Sequence, residues 1–244
     1  MKNKIAMYIG PGVNSSTINH WVDLYMNHDV IPYNAELLFF KEKDFTIEKL
    51  KEIDCIILPG GSGSKICNGL GTSGKDAIMT AVGWYGKSIL GICAGNYALL
   101  SGYDWSLGMI NYKILDKLEL PKGDKDINLY LTDKGNKFFH NNSRFGKLWE
   151  NVNLSNVHYH NGPIMVQADE SFTDDVLATF ATPIYESGQH VNQDIGSPAI
   201  VKSKFGDGQV IAISPHFEKS GGEQKVIIKI VLEYLLNHEI QKDI

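Results

Sequence analysis

Two hydrophobic rhythms alternate along the chain. Short, continuous apolar runs occur at 5–9 and 55–58, which stop at Gly10-Pro11-Gly12 and Pro59-Gly60-Gly61, and 88–92 is a similar run that opens on Ser88. Continuous rather than alternating apolarity predicts parallel strands covered on both faces. Between them lie stretches of helical period. One runs from Ser15 or Ser16, either able to cap it, to about residue 27, with Trp21, Leu24 and Tyr25 inward. Others are expected at 46–52, capped by Asp44 or Thr46, at 75–85, from about Asn96 onward, and at 223–237. The last turns Val226, Ile230, Val231, Tyr234 and Leu235 to its inner side. Strand-like pieces also occur at 30–31 and 37–40, and the Gly/Ser-rich stretch 62–74 reads as a loop. Strands alternating with helices predict an α/β fold with a doubly wound, mainly parallel sheet.

From 103 to 160 the rhythm fades. Alternation at 127–131 suggests a strand, and Pro121-Lys122-Gly123-Asp124 a turn, so this part reads as an elaboration with antiparallel strands. Strand-like runs follow at 162–167, 176–181, 199–204 and 209–214, the last two joined by the hairpin turn Phe205-Gly206-Asp207-Gly208. The expectation is a single domain over 1–244 with 103–160 as its elaboration.

Composition narrows the field. The 244 residues are 43% hydrophobic and 21% charged, an ordinary soluble composition with ample length for one core. The formal charge is -5 and no basic run exceeds two residues, so neither nucleic acid nor an acidic membrane has electrostatic support as a partner. The first apolar run is too short for a signal segment, and none reaches membrane-spanning length. Three cysteines, Cys55, Cys67 and Cys93, are too few and too scattered for a disulfide scaffold or a zinc cluster. A reducing cytoplasm, no metal and no organic cofactor are the expectations.

The chemistry concentrates at Gly91-Ile92-Cys93-Ala94-Gly95. A nucleophile on a sharp strand-to-helix turn needs small neighbours, and glycines two residues either side supply them. The turn lifts the sulfur above the carboxyl ends of the strands, where open α/β sheets bind ligands. The start of the next helix favours a thiolate and aims N–H groups at an oxyanion. An isolated Gly-x-Cys-x-Gly is more often a buried structural cysteine; its place between an apolar strand and a helix tips the balance. Ser214-Pro215-His216-Phe217-Glu218 follows another apolar strand. In an extended segment His216 and Glu218 face the same side, so Glu218 can orient the imidazole while His216 serves the thiol. As rim residues, both are expected to matter more for chemistry than for packing. Gly61 and Ala94 can offer N–H groups to an oxyanion, with Gly60 close to the substrate. His158 and His160 are rival bases, and His160 with Asn161 reads equally as pocket wall or structural turn. Cys55 reads as strand packing and Cys67 as an incidental exposed thiol.

The order Pro-Gly-Gly, Gly-x-Cys-x-Gly, His-x-Glu resembles class I glutamine amidotransferase-like domains. Gly10-Pro11-Gly12, the stretch 59–71, Gly91 to Tyr97 and Tyr159-His160-Asn161-Gly162-Pro163 narrow the likeness to the amidotransferase-like domain at the N-terminus of biotin-protein ligases, which also occurs alone. The likeness covers nearly the whole chain and is weakest over 103–156. It implies a flavodoxin-like sandwich with Cys93, His216 and Glu218 as a triad, not biotin ligation, since no adenylate loop or P-loop is present. The functional expectation is a cysteine-dependent amidase acting on a small amide, together with an acceptor or activating protein. The alternative is a binding or regulatory module that keeps the fold without turnover. A peptidase or stress-protein relative is a weaker third reading, because neither Asn14 nor Asp23 supplies the early acidic residue those carry.

Overall fold

Ile5, Ala6, Met7 and Tyr8 are wholly buried because the strand that holds them has a neighbour on each edge and a layer on each face. The computed structural model describes residues 2–27, 30–142, 154–171, 174–185 and 188–237. In chain order the elements are β1 (Asn3–Tyr8), α1 (Ser15–Met26), β2 (Ala35–Phe40), α2 (Ile47–Leu50), β3 (Cys55–Leu58), α3 (Gly63–Gly83), β4 (Ser88–Ile92) and α4 (Ala94–Leu99). Then follow β5 (Tyr112–Ile114), β6 (Asp124–Ile127), β7 (Leu129–Leu131), α5 (Asp133–Asn142), β8 (Val157–His160), β9 (Met165–Gln167), β10 (Asp175–Phe180), β11 (Pro198–Phe205), β12 (Gly208–Ile213) and α6 (Val226–Asn237).

The large sheet has the order β2-β1-β3-β4-β12-β11-β10-β7. Its first five strands are all parallel, and the last three join antiparallel. The five parallel strands, taken in chain order, follow the 2-1-3-4-5 order of flavodoxin-like sheets. Strand periodicity sorts the core into two layers. Ile5, Met7, Ile57, Leu90 and Ile211 face Trp21 and Leu24 of α1 and Ile227 and Val231 of α6. Ala6, Tyr8, Ile56, Ile89 and Val210 face Ile66 and Ile78 of α3 and Ala98 of α4. Two small antiparallel pairs, β5 with β9 and β6 with β8, lie outside the large sheet.

Several local expectations need correction. Residues 62–74 are not a loop: α3 begins at Gly63, and its two helical halves meet at Gly71 (φ 63°). The glycines hid a helical stripe, Ile66, Leu70, Ala77, Ile78 and Ala81, that buries well enough to override low propensity. Cys67 consequently lies in the core, 1% exposed, and is not a surface thiol. Asn14, not Ser15 or Ser16, caps α1 by accepting the Thr17 N–H at 2.8 Å. Val30 and Ile31 are buried but form no strand. The run 127–131 is two strands broken at Asn128, and α5 follows it unannounced. Of the elaboration expected over 103–160, residues 143–153 lie outside the described residues.

The turn after β4 depends on contact between backbones. A Cβ on Gly95 would stand 1.8 Å from the Leu58 carbonyl oxygen of β3. Gly71, by contrast, has a left-handed φ but open space around it. Gly95→Ala is therefore expected to cost about 3 kcal/mol or more through overpacking and backbone displacement. Gly71→Ala should cost less, about 1–3 kcal/mol, the penalty for placing a Cβ at φ 63° and ψ -175°, a conformation nearly confined to glycine. Urea unfolding of the two variants beside the parent checks the order; equal losses would mean that the turn yields freely.

Candidate functional site

Four parallel strands deliver their carboxyl ends to one place: β1 into Gly10-Pro11-Gly12, β3 into Pro59-Gly60-Gly61, β4 into Cys93 and β12 into Ser214-Pro215-His216. Cys93 has φ 52° and ψ -101°, a sparsely populated conformation for a side-chain-bearing residue. It persists because its N–H bonds the Ile213 carbonyl at 2.8 Å and the Gly95 N–H bonds the Pro59 carbonyl at 3.2 Å. β12 and β3 thus clamp the turn from both sides. The Cys93 thiol donates to the main-chain carbonyl of His160 at 3.3 Å.

His216 does not sit in an extended segment. It precedes a 3-10 turn, Phe217–Lys219, and this tighter geometry brings Glu218 back to it. The Nδ1 of His216 donates to Glu218 Oε1 at 2.6 Å, which leaves Nε2 as the remaining ring nitrogen of a side chain that, like Cys93, lines the cavity. The His216 N–H bonds the His158 carbonyl at 2.7 Å, and Ser220 Oγ ties the His216 carbonyl to the His158 N–H. The Glu218 carbonyl accepts from His20 Nε2 of α1 at 2.8 Å. Both members of the pair are buried, at 2% and 0% exposure. That corrects the expectation that they are rim residues with little part in packing.

Burial opposes charge on both groups, yet each stabilises the other's charged form. For His216 burial pulls the pKa down; the Glu218 carboxylate and the Cys93 side chain outweigh it and hold it up at about 10. For Glu218 burial pushes up, and the His216 charge and hydrogen bond reverse that, so its carboxyl lies below the usual range. Burial, then the nearby His216 charge, lower His158, whose ring lies 5.8 Å from that of His216.

A cavity of about 790 Å³ opens over these groups. Cys93, Ala94, Gly61, His160, Asn161 and His216 all line it. Gly60 does not. Its backbone lies behind the His216 ring, where a Cβ would stand 2.7 Å from Cε1. Among the described residues the Gly61 and Ala94 N–H groups meet no protein acceptor. Gly61 is pressed against Gly12, whose carbonyl takes the Ser62 N–H at 2.9 Å, and φ at Gly61 is 151°. His160 is half exposed and reaches Cys93 by its carbonyl rather than its ring. Asn161 exchanges hydrogen bonds with Gly123, pinning the turn before β6 to the cavity wall. His20 and Thr17 escaped the sequence reading, which weighed Asn14 only as a poor match for an early acidic residue. All three belong to α1 or its cap, and only the position of that helix over the strand ends brings them here.

Residues 3–239 match the family model described as biotin-protein ligase, N terminal. The chain belongs to that family. A search of the curated proteins finds no match. Among solved structures, a glutamine amidotransferase is 15% identical, with a TM-score of 0.56 over 94% of this chain and 98% of its own. A protein from Thermoplasma acidophilum, provisionally assigned as a GMP synthase component, is 13% identical, with a TM-score of 0.57 over 99% of this chain and 98% of its own. A β-galactosidase from Bacillus circulans shares 11% identity and a TM-score of 0.54 over 97% of this chain but 31% of its own. At such identities these likenesses establish the amidotransferase-like fold, and the third shows that the fold serves other proteins too. No helix among the described residues is long and apolar enough to cross a membrane.

The coupled pair has a measurable signature. A histidine raised from 6.5 to about 10 contributes stability that is complete below 6.5 and is lost as pH climbs to 10. Glu218, held below 4.5, contributes stability present above 4.5 and lost as pH falls further. Stability measured by urea unfolding should therefore decline from pH 6.5 to 10, and His216→Gln should flatten that slope below pH 9.0, the ordinary thiol pKa above which buried Cys55 and Cys67 also contribute. The variant should also lose on the order of 3–5 kcal/mol at pH 6, because it strands a buried carboxylate. A parent whose stability rises across pH 6.5–10 would mean that His216 is neutral in the fold.

Proposed function

We propose that this protein is a cysteine-dependent amide hydrolase of the amidotransferase type. The observation that carries the reading is His216 held between a buried Glu218 and Cys93, in a cavity that also receives two unengaged N–H groups. The Cys93 sulfur, its proton passed to His216, attacks the amide carbon, and the carbonyl electron pair moves onto oxygen. The Gly61 and Ala94 N–H groups receive that oxyanion. The His216 imidazolium then gives its proton to the amide nitrogen, the C–N bond breaks, and an amine or ammonia leaves a thioester on Cys93. Water attacks the thioester, His216 takes its proton, and acid and thiol are released. Glu218 stabilises the imidazolium throughout and fixes which nitrogen faces the sulfur. Neither a metal nor an organic cofactor has a part in this scheme. The amine either diffuses away or passes to an acceptor protein, and the cytoplasm is the compartment that keeps the thiol reduced.

Limiting iodoacetamide should label Cys93 first. Cys55 and Cys67 are in the core, and burial pushes the Cys67 thiol up to about 11. Ammonia release from a panel of small amides should fall at least about a hundredfold in Cys93→Ser. A diazo-ketone analogue of glutamine should add one increment at Cys93. An adduct without turnover would point to a missing acceptor or activating protein. Folded protein giving neither ammonia nor adduct would establish the binding or regulatory module instead.

A further inference from the structure

The cavity is larger than a glutamine-sized substrate requires. Even at a water molecule's liquid share of about 30 Å³ per heavy atom, glutamine's ten non-hydrogen atoms would fill roughly 300 Å³. The cavity holds about 790 Å³. The surplus lies between walls of two distinct kinds.

The first wall is aromatic. Tyr103 and Trp105 stack with ring centroids 4.5 Å apart and planes 22° from parallel. Both line the cavity, with Tyr97, Leu120 and Pro121. The pair is fixed in place: Lys75 Nζ bonds the Trp105 carbonyl at 3.3 Å, and Lys117 lies 4.9 Å over the Tyr103 ring while bonding the Gly102 carbonyl. The tip of the Trp105 indole reaches the Gly61–Ser64 side, where a Cβ on Gly63 would stand 3.4 Å from Cη2. The platform therefore begins beside the reacting groups.

The second wall is cationic. Lys117, Lys122 and Lys219 line the cavity against one acidic residue, Asp124, which lies 3.5 Å from His160 and 3.8 Å from His158. A protein of net charge -5 thus turns a cationic surface toward its cleft. Lys122 and Lys219 are exposed, and among the described residues neither has an ion-pair partner. Such a cleft raises the local concentration of anions, and a flat ring gains from stacking on a preorganised aromatic pair.

We propose that the substrate is an aromatic amide carrying an anionic group, carboxylate or phosphate. Its ring packs against Trp105, which Tyr103 backs from its other face, and its anion faces Lys122 and Lys219. The inference rests on the reading of this cleft as the reaction site, and direct binding tests it separately from turnover. Benzoylglycine and benzoylaminomethylphosphonate are the anionic aromatic probes; benzoylglycinamide lacks the charge, and acetylglycine lacks the ring. Calorimetry on Cys93→Ala is expected to show at least one anionic aromatic probe binding about tenfold tighter than either control. Lys122→Gln with Lys219→Gln should weaken that probe about threefold to tenfold, more at low salt, and leave benzoylglycinamide unchanged. Trp105→Leu should weaken the aromatic probes and spare acetylglycine. Which of the two anionic probes binds tighter distinguishes carboxylate from phosphate. Controls binding as tightly as the anionic probes, or no binding by any probe, would overturn the inference. Cys93 labelling in the parent protein, run in parallel, reports on the hydrolase reading alone: labelling without selective binding removes this substrate class, and selective binding without labelling removes the hydrolase.

Discussion

Everything at this site depends on how closely the turn after β4 approaches β3. Gly95 lies so near the Leu58 carbonyl that no side chain fits between them. That approach lets the Gly95 N–H bond Pro59 while Cys93 bonds Ile213, so one residue in an unfavourable conformation is held by two neighbouring strands. Strain of this sort costs about 1–3 kcal/mol and survives only where its surroundings determine it. Here those surroundings are parallel strands buried on both faces, the most rigid part of an α/β sheet. The same clamp holds Ala94 at the wall of a cavity that Gly61, itself pressed against Gly12, also lines. Three turns from three strands thus hold one another, and the cavity floor is a property of the sheet rather than of any loop.

Onto that floor the chain builds a buried ion pair. Two charges out of water are costly, and a pair of them is a poor way to gain stability. His216 and Glu218 meet the cost through their own hydrogen bond, Nδ1 to Oε1, while main-chain bonds from His216 to His158 and from Glu218 to His20 hold the two residues in place. Among the described residues Glu218 Oε2 has no hydrogen-bond partner. A hydrophobic pair of similar shape would stabilise the fold more simply. What the ion pair provides instead is an imidazole of fixed orientation with a supported positive charge, set beside a sulfur. On the proposed reading, stability is given up for a base whose partner never leaves it.

The parallel part of the fold was legible because burial on both faces leaves an unmistakable mark, unbroken apolar runs ending in glycine. Cys93, Gly61 and His216 were legible for the same reason, since each stands immediately past such a run. The rest required distance information that local pattern does not hold. His216 and Glu218 were paired correctly but through the wrong geometry, because a 3-10 turn and an extended segment both bring residues two apart within reach. α3 was hidden by its glycines, and with it the burial of Cys67. His20 and Thr17 carry no signature at all: α1 is an ordinary amphipathic helix, and only its place in the fold brings Thr17 to the cavity wall and His20 to the Glu218 carbonyl. Gly60 shows the reverse error. Its motif marked it as close to a ligand, and the space it leaves is taken by the His216 ring.

The division between legible and illegible parts follows a division of labour in the molecule. Residues that set the reacting geometry come from strand ends, where the sheet tolerates little variation in backbone position. Tyr103, Trp105, Lys117, Leu120, Lys122 and Asp124, which shape the outer cavity, come from the segment where hydrophobic periodicity fades. That segment is not loosely attached. β6 pairs with β8, Asn161 grips Gly123, and the Lys125 ammonium reaches the Pro183 carbonyl at 2.8 Å. On the proposed reading those six side chains meet a ligand, while Leu107, Met109, Ile110, Ile114 and Phe139 of the same segment enter the core, so cavity and core positions interleave along the chain. A region selected on that basis loses its sequence rhythm while keeping its structure. On the proposed reading the fading over 103–160 is the trace of a binding wall built onto a rigid floor, and likeness of fold to an amidotransferase and to part of a β-galactosidase says little about what enters the cavity.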